Sequence, residues 1–212
     1  MATSLRTCTD GAQLPLRIPI SGIAASNGCQ ATSDRMRIVG GEWVGVSLAS
    51  PGPRVRPTRE DVRDAWISGL EADLGKAKVL DLFAGTGALG LEALSRGAAR
   101  VDFVENGTQA LHSLKANVAK LRVRNRTRLF KKDVFLFLQA VDTPVYDLAL
   151  ADPPYTSRAA DRLATLWLER PYSRILSVEH ATERNLPGWG KKEIFGDSAV
   201  TTYRIREETP GA

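Results

Sequence analysis

KVLDLFAGTGALG, residues 78–90, decides how this chain folds. In its first half Val79, Leu80, Leu82 and Phe83 make a run apolar enough for a strand covered on both faces. Its second half sets glycines at 85, 87 and 90, and from Thr86 a helical apolar period runs through Leu89, Ala93 and Leu94. Strand, G-x-G-x-x-G turn and helix in that order make the first unit of a nucleotide-type α/β sheet, where glycines let backbone approach a ligand closely. Glu105 stands twenty residues beyond Gly85, at the end of a second strand-like stretch over 101–105, where an acid can accept both hydroxyls of a ribose.

The alternation continues outward. Downstream, a helix is predicted over 108–121 with Leu111, Leu114, Val118 and Leu121 on one side, then a strand at 128–130, a short helix at 134–140, a strand at 146–151 and a helix at 159–168. Strands at 175–179, 192–195 and 199–205 follow. Strand and helix in turn imply a parallel sheet covered on both faces, and the last two strands, with no room for a helix between them, imply an antiparallel hairpin at one edge. Upstream, residues 36–50 carry the glycines and β-branched residues of a hairpin or short irregular sheet. Next, PGPRVRPTREDVRDAWISGL (51–70) predicts a helix with Thr58 as N-cap three residues before Asp61 and a stripe of Val62, Ala65, Trp66 and Leu70. The domains expected are a hairpin and helix over 36–75, a sheet domain over 76–207 and a tail over 208–212.

Composition bounds what such a domain does. Of 212 residues, 43% are hydrophobic and 25% charged, an ordinary soluble mixture that excludes a disordered tail protein or a disulfide-built mini-protein. The two cysteines, Cys8 and Cys29, both precede residue 36, so no zinc-ligand cluster is available, and a reducing, cytoplasmic location is expected. No apolar run reaches the roughly 18 residues of a membrane span. Residues 1–35 lack a sustained apolar period, and Arg17 interrupts their most apolar stretch, which argues against a secretory signal. A transit peptide fits their composition; a start codon placed upstream of Met36 is the simpler reading. Lys+Arg 29 against Asp+Glu 24 leaves +5, which suits a polyanionic partner. Dropping residues 1–35 removes three arginines and two aspartates, so the excess belongs to the rest of the chain.

The glycine pattern alone admits a dinucleotide or S-adenosylmethionine. Asp81 distinguishes them, because a carboxylate at the end of the first strand faces an ammonium well and a pyrophosphate badly. The cofactor-facing set is therefore Asp81, Phe83, Gly85, Gly87 and Glu105, with Asp133 after the third strand placed to meet an adenine amino group. The plain alternatives are a tight turn, a helix-capping Asp81 and a surface Asp133 beside Lys131 and Lys132.

Asp152-Pro153-Pro154-Tyr155 follows the strand YDLALA at the carboxyl edge of the sheet, where ligands of such folds bind. Two prolines remove backbone donors and fix the carbonyls before them, so Asp152 and a neighbouring carbonyl form a rigid pair of acceptors. A base NH2 group offers two hydrogens to that pair, and Tyr155 offers a ring for stacking. Such an amine delocalises its lone pair into the ring. Acceptors for both hydrogens favour a more tetrahedral nitrogen aimed at a methyl donor, and Asp152 can take the departing proton. With only His112 and His180 in the chain, a Ser-His or Cys-His nucleophile has little support.

MRIVGG at 36–41, RPT at 56–58 with Val62 and Arg63, LDLFAGTGALGLEALSRGA at 80–98, Glu105, Asn117, DPPY at 152–155, Glu179 and FGDSAVTTYR at 195–204 together resemble the bacterial 16S ribosomal RNA guanine-N2 methyltransferases. The resemblance covers nearly all of residues 36–207. It implies a Rossmann-like, seven-stranded class I methyltransferase fold, S-adenosylmethionine as donor, and transfer to one guanine of 16S rRNA. The partner expected is 16S rRNA, naked or in a 30S subunit or assembly intermediate, and a monomer with no metal and no membrane is expected. The resemblance also implies that Asp81, Gly85, Gly87 and Glu105 line the cofactor, Asp133 the adenine, and Asp152 to Tyr155 the guanine. The chain departs from the family pattern at Glu60-Asp61, where members commonly carry Asp-Arg, and at Val44 and Val46, where they carry basic residues.

Positive charge falls in two clusters. Arg54, Arg56, Arg59 and Arg63, with Thr58, flank RPT and are expected to contact RNA. Lys120, Arg122, Arg124, Arg126, Arg128, Lys131 and Lys132 surround the third strand; an extended stretch would align the four arginines on one face, though a solvated surface is the simpler reading. Trp43 and Trp66 could stack on bases, but Trp66 lies on the apolar stripe of its helix. The rival functions are a DNA adenine-N6 methyltransferase, which the short 36–70 segment leaves little room to equip, a non-catalytic RNA-binding assembly factor on the same fold, and a dinucleotide oxidoreductase.

Overall fold

The computed structural model of the chain describes residues 36–50, 59–141 and 144–205. Seven strands form one sheet: β1 (Lys78–Leu82), β2 (Arg100–Val104), β3 (Thr127–Phe130), β4 (Tyr146–Ala151), β5 (Ser173–Ala181), β6 (Lys191–Phe195) and β7 (Ser198–Arg204). Their order is β3-β2-β1-β4-β5-β7-β6. The first five are parallel, while β7 runs antiparallel between β5 and β6. Each parallel step is made by a helix: α3 (Ala88–Ser95), α4 (Thr108–Lys120), α5 (Val134–Gln139) and α6 (Ala159–Glu169). The expected α/β sheet with an antiparallel edge hairpin is thus present, with strand ends within two residues of expectation.

Strand alternation divides the core into two layers. Val79, Val101, Phe103, Leu148 and Leu150 face α3, α4 and the N-terminal helix α1 (Glu60–Ser68), meeting Trp66, Leu91, Leu94 and Leu114. Leu80, Leu82, Val104, Ala149 and Leu176 face α5 and α6, meeting Phe137, Leu138, Leu163 and Trp167. From β1 the chain leaves toward β2, and from β4 toward β5 on the other side. The crevice above the carboxyl ends of β1 and β4 is therefore the switch point at which sheets of this kind bind ligands.

Residues 36–50 pair as a short irregular hairpin, as expected, with one antiparallel bridge, Arg37 to Ser47, around a 3-10 turn at Gly41–Trp43. The helix that follows departs from expectation. Helix α1 begins at Glu60 with Arg59 at the N-cap position and no side-chain cap; Thr58, Arg54 and Arg56 lie outside the described residues. Its buried residues are Val62, Arg63, Trp66 and Ile67, with Ala65 exposed; Leu70, buried beyond its end, stands at the N-cap position of a short helix α2 (Glu71–Leu74) that the sequence did not announce.

Arg63, expected to face RNA, is instead fully buried. It donates to the Arg37 carbonyl and its Nε lies 3.7 Å from Glu92. Glu92, itself buried, also accepts the amides of Val39 and Gly40 and the Nε of Arg96. The guanidinium thus ties α1, α3 and the first described residues together, and with no exposed surface it is out of reach of a phosphate.

The aligned arginines of the second cluster are also absent, because Arg124–Arg126 forms a 3-10 turn and β3 starts only at Thr127. Arg126 donates to the carbonyls of Leu94 and Ala98, Arg128 is paired with Asp102, and Lys120 donates to the Ser47 carbonyl.

Candidate active site

Backbone pairing sets the heights of the site residues. Leu82 is level with Val104 on one side and Ala151 on the other, so Glu105 and Asp152 stand one step further up, flanking Phe83. The chain turns out of β1 through three residues with positive φ: Phe83 at 57°, Gly85 at 56° and Gly87 at 81°. A non-glycine residue held there is strained by about 1–3 kcal/mol, a feature that collects at ligand sites.

The glycines do different work. A Cβ on Gly87 would lie 2.3 Å from Leu114 Cδ1, and one on Gly90 would lie 2.5 Å from Phe103 Cε1 and 2.9 Å from Asp81 Oδ2. These two let α3 lie close against the strands and α4. A Cβ on Gly85 would meet only the Phe83 carbonyl, at 3.9 Å, so this glycine borders open space. Gly87→Ala is accordingly expected to destabilise the free protein by about 3 kcal/mol or more, from overpacking and left-handed strain together. Gly85→Ala should cost only about 1 kcal/mol of stability yet weaken cofactor binding. Denaturant unfolding beside calorimetric titration checks both; equal stability losses would contradict the division.

Asp81, Glu105 and Asp152 gather at this edge, with Asp133 further out at the start of α5. Asp81 is 1% exposed; its Oδ2 accepts the Gly90 amide at 2.9 Å and its Oδ1 is buried without a hydrogen-bond partner. Burial pushes its pKa up to about 8, opposed by the Gly90 hydrogen bond and assisted by the negative charges of Asp152 and Glu105. Glu105 accepts the Gly85 amide at 2.8 Å and the Gly107 amide at 2.6 Å, one on each oxygen, joining the loops after β1 and β2. Each oxygen keeps a further lone pair for a hydroxyl. Asp133 caps α5, accepting the amides of Phe135 and Leu136, and is exposed. Phe135 packs edge-on against Phe83 at 6.2 Å between centroids, with the Arg162 guanidinium over its ring at 3.7 Å.

An orphaned buried acceptor, a glycine open to space and a ring of carboxylates fit a ligand with an ammonium group, a cationic centre and a ribose. They fit a pyrophosphate poorly. The structure brings together Asp81, Phe83, Gly85, Glu105 and Asp152, turns Gly87 inward, and sets Asp133 beside Phe135.

On the far side of the crevice Asp152 is half-buried, Pro153 buried, and Pro154 exposed with its carbonyl accepting from Ser157. The Tyr155 hydroxyl lies 2.7 Å from both Glu179 Oε1 and Ser198 Oγ, while its carbonyl accepts from Arg184. Arg184 also donates to the Ser157 carbonyl and pairs with Asp161 on α6. Sequence reading missed Arg184 and Ser198, whose neighbours in the chain carry no signal of this contact. Glu179 had one: it is an acid inside the apolar strand SRILSVEHA. Arg59 pairs with Asp61, and Glu60 accepts from Arg37, so both acids that depart from the family pattern are engaged by nearby arginines. Among the described residues no helix is long and apolar enough to cross a membrane.

A family model described as conserved hypothetical protein 95 matches residues 36–203. Ribosomal RNA small subunit methyltransferase D of Escherichia coli K12 is 33% identical over 184 residues, covering 81% of this chain and 91% of that protein. The protein of the same name from Haemophilus influenzae is 31% identical over 160 residues, covering 72% and 81%. Among solved structures, a hypothetical protein of Thermus thermophilus superposes with a TM-score of 0.72 at 28% identity, covering 80% of this chain and 99% of the other. An RNA methyltransferase from Salinibacter ruber in complex with S-adenosyl-L-homocysteine shares the fold, with a TM-score of 0.57 at 18% identity over 74% of this chain and 98% of the other.

Proposed function

The chain belongs to the family described as conserved hypothetical protein 95, together with the small-subunit ribosomal RNA methyltransferases D, and from that premise we propose that it methylates the exocyclic N2 of a guanine in 16S rRNA. It is a ribosomal RNA methyltransferase with S-adenosylmethionine as cofactor. The observation that carries the finer reading is the position of Asp152-Pro153-Pro154-Tyr155 directly across the switch point from the orphaned Asp81 oxygen.

Asp81 holds the ammonium end of the cofactor, Glu105 its ribose, and Asp133 with Phe83 its adenine side, while Gly85 leaves room for it. Bound there, the cofactor supplies a methyl group on a cationic sulfur. Asp152 and an adjacent fixed carbonyl accept the two N2 hydrogens of guanine, Tyr155 stacks on the base, and Asp152 receives the proton. Incubating the protein with labelled S-adenosylmethionine and either naked 16S RNA or 30S particles, then mapping the methyl group, tests this. Label on adenine, on DNA or nowhere overturns it.

Of the residues expected to contact RNA, Arg63 is buried, Arg59 is exposed beside Asp61, and Arg54, Arg56 and Thr58 lie outside the described residues. At the edge that carries the catalytic loop, Lys131 and Lys132 follow β3 while Arg158 and Arg162 open α6, all exposed. Arg122 and Arg124 lie at the opposite edge, before β3. Reversing the first four charges is expected to weaken RNA binding by about a hundredfold at moderate salt and flatten its salt dependence. Reversing Arg122 and Arg124 should do far less. Filter binding across a salt series compares the two, and equal losses would mean only overall charge matters.

A further inference from the structure

Glu179 has no part in the chemistry above, yet it is buried beside the catalytic loop, at 3% exposure. Its Oε1 accepts the hydroxyls of Tyr155 at 2.7 Å and Ser198 at 2.9 Å, and those hydroxyls lie 2.7 Å from each other. The three side chains come from the loop after β4, from β5 and from the first residue of β7. Its Oε2 is buried with no hydrogen-bond partner among the described residues. A buried, half-satisfied carboxylate is unfavourable, and an apolar side chain of similar length would fill the space without that penalty. What the carboxylate adds is an acceptor for two hydroxyl protons at once.

Tyr155 needs such an acceptor. Arg184 binds the Tyr155 and Ser157 carbonyls and thereby fixes the main chain of the loop, but it leaves the ring free to turn about its own two torsions. Among the described residues, the hydrogen bonds to the ring's hydroxyl run to Glu179 and Ser198. Burial, opposed by the Ser198 hydrogen bond and helped by Glu179, raises the Tyr155 pKa above the usual tyrosine range, so the hydroxyl remains a donor at working pH.

We infer that Glu179 is a positioning residue for methyl transfer: by accepting the Tyr155 hydroxyl it sets the plane on which the acceptor base stacks, and so the line from the amino nitrogen to the methyl group. The inference rests on the reading of Tyr155 as the stacking residue.

The test is single-turnover transfer from labelled S-adenosylmethionine to 16S RNA, with RNA and cofactor affinities measured in parallel. Glu179→Leu, which fills the space without an acceptor, and Glu179→Leu/Ser198→Ala, which removes both anchors, should slow transfer by about tenfold and about a hundredfold. The melting temperature and both affinities should stay near those of the unmodified protein. Glu179→Gln keeps a carbonyl acceptor and should recover most of the rate. Tyr155→Phe should be slow in its own right, and adding Glu179→Leu to it should cost less than about twofold more, since both changes remove one interaction.

Independent, multiplying effects of Tyr155→Phe and Glu179→Leu overturn the inference, as does a Tyr155→Phe protein with full rate. The latter decides the matter even if the Glu179 variants do not fold. Rate lost only in step with melting temperature reduces Glu179 to a structural role and also overturns it. An unmodified protein that labels no guanine of 16S RNA, either naked or in 30S particles, removes the underlying reading instead, and this inference falls with it.

Discussion

Asp152→Ala is expected to slow methyl transfer by about a thousandfold or more while cofactor affinity stays within about threefold. Asp152 is the first residue beyond β4, set between the buried Ala151 and the buried Pro153, so its backbone is fixed by the sheet on one side and by a proline on the other. Neither proline has an N–H, so no backbone donor of this pair competes for its carboxylate. The same charge reaches the cofactor side of the crevice, where it helps to raise the Asp81 pKa. A guanine amino group has little nucleophilicity until both hydrogens are held and its lone pair is freed from the ring. Alanine removes one of the two acceptors and the proton's destination together.

Asp152→Asn is the informative companion. It keeps one acceptor oxygen but carries no charge and cannot take the proton, so an intermediate loss of about a hundredfold is expected. Quenched single-turnover assays and calorimetric titration separate the chemical step from binding. An alanine variant within tenfold of the original rate would place the catalytic centre elsewhere.

The features legible in the sequence were those set by short-range pattern. The run from Lys78 to Leu82 reads as a buried strand because both its faces are apolar, and both are covered. The edge hairpin is readable because residues 191–204 leave no room for a crossover helix. What stayed hidden depends on contacts between distant residues. Arg63 reads as a surface charge, since nothing near it in the chain announces Glu92 as its buried partner. Gly85 and Gly87 look equivalent until α4 places Leu114 against one of them. Arg122 to Arg128 alternates like a strand, but a three-residue turn resets its phase. The hydroxyl cluster at Glu179 joins residues 24 and 19 positions away along the chain, across a strand crossing that no local pattern encodes.

Cofactor affinity is expected to rise with pH from about 6 to 8 and then level off. The Asp81 carboxyl titrates near 8 in the folded chain because burial disfavours its charged form, so at neutral pH it is largely protonated. An ammonium group beside the unpartnered Oδ1 would favour the ionised form. Binding below pH 8 must then release a proton, and affinity can rise by up to about tenfold per pH unit in that window. The sign reverses for the free protein's stability. Its folded pKa lies above its unfolded value of 3.8, so the folded state binds more protons between those limits, and Asp81's contribution falls as pH rises from about 4 to about 8.

Asp81→Asn tests both halves at once. The amide oxygen can still accept the Gly90 N–H, so the variant should gain stability relative to the original chain as pH rises through that range. It should also bind cofactor about ten- to a hundredfold more weakly above pH 8, with the protein's part of the pH slope gone. Calorimetry in buffers of different ionisation enthalpy counts the proton directly, and unfolding curves from pH 5 to 9 give the stability difference. A chain that binds without proton release at pH 7, or an asparagine variant that keeps the slope, would show that Asp81 is ionised before the cofactor arrives. Asp152 enters the same balance. Removing its negative charge should lower the Asp81 pKa and move the affinity rise to lower pH, so the Asp152→Ala protein, unable to transfer a methyl group, should still report the electrostatic link between the two sides of the crevice.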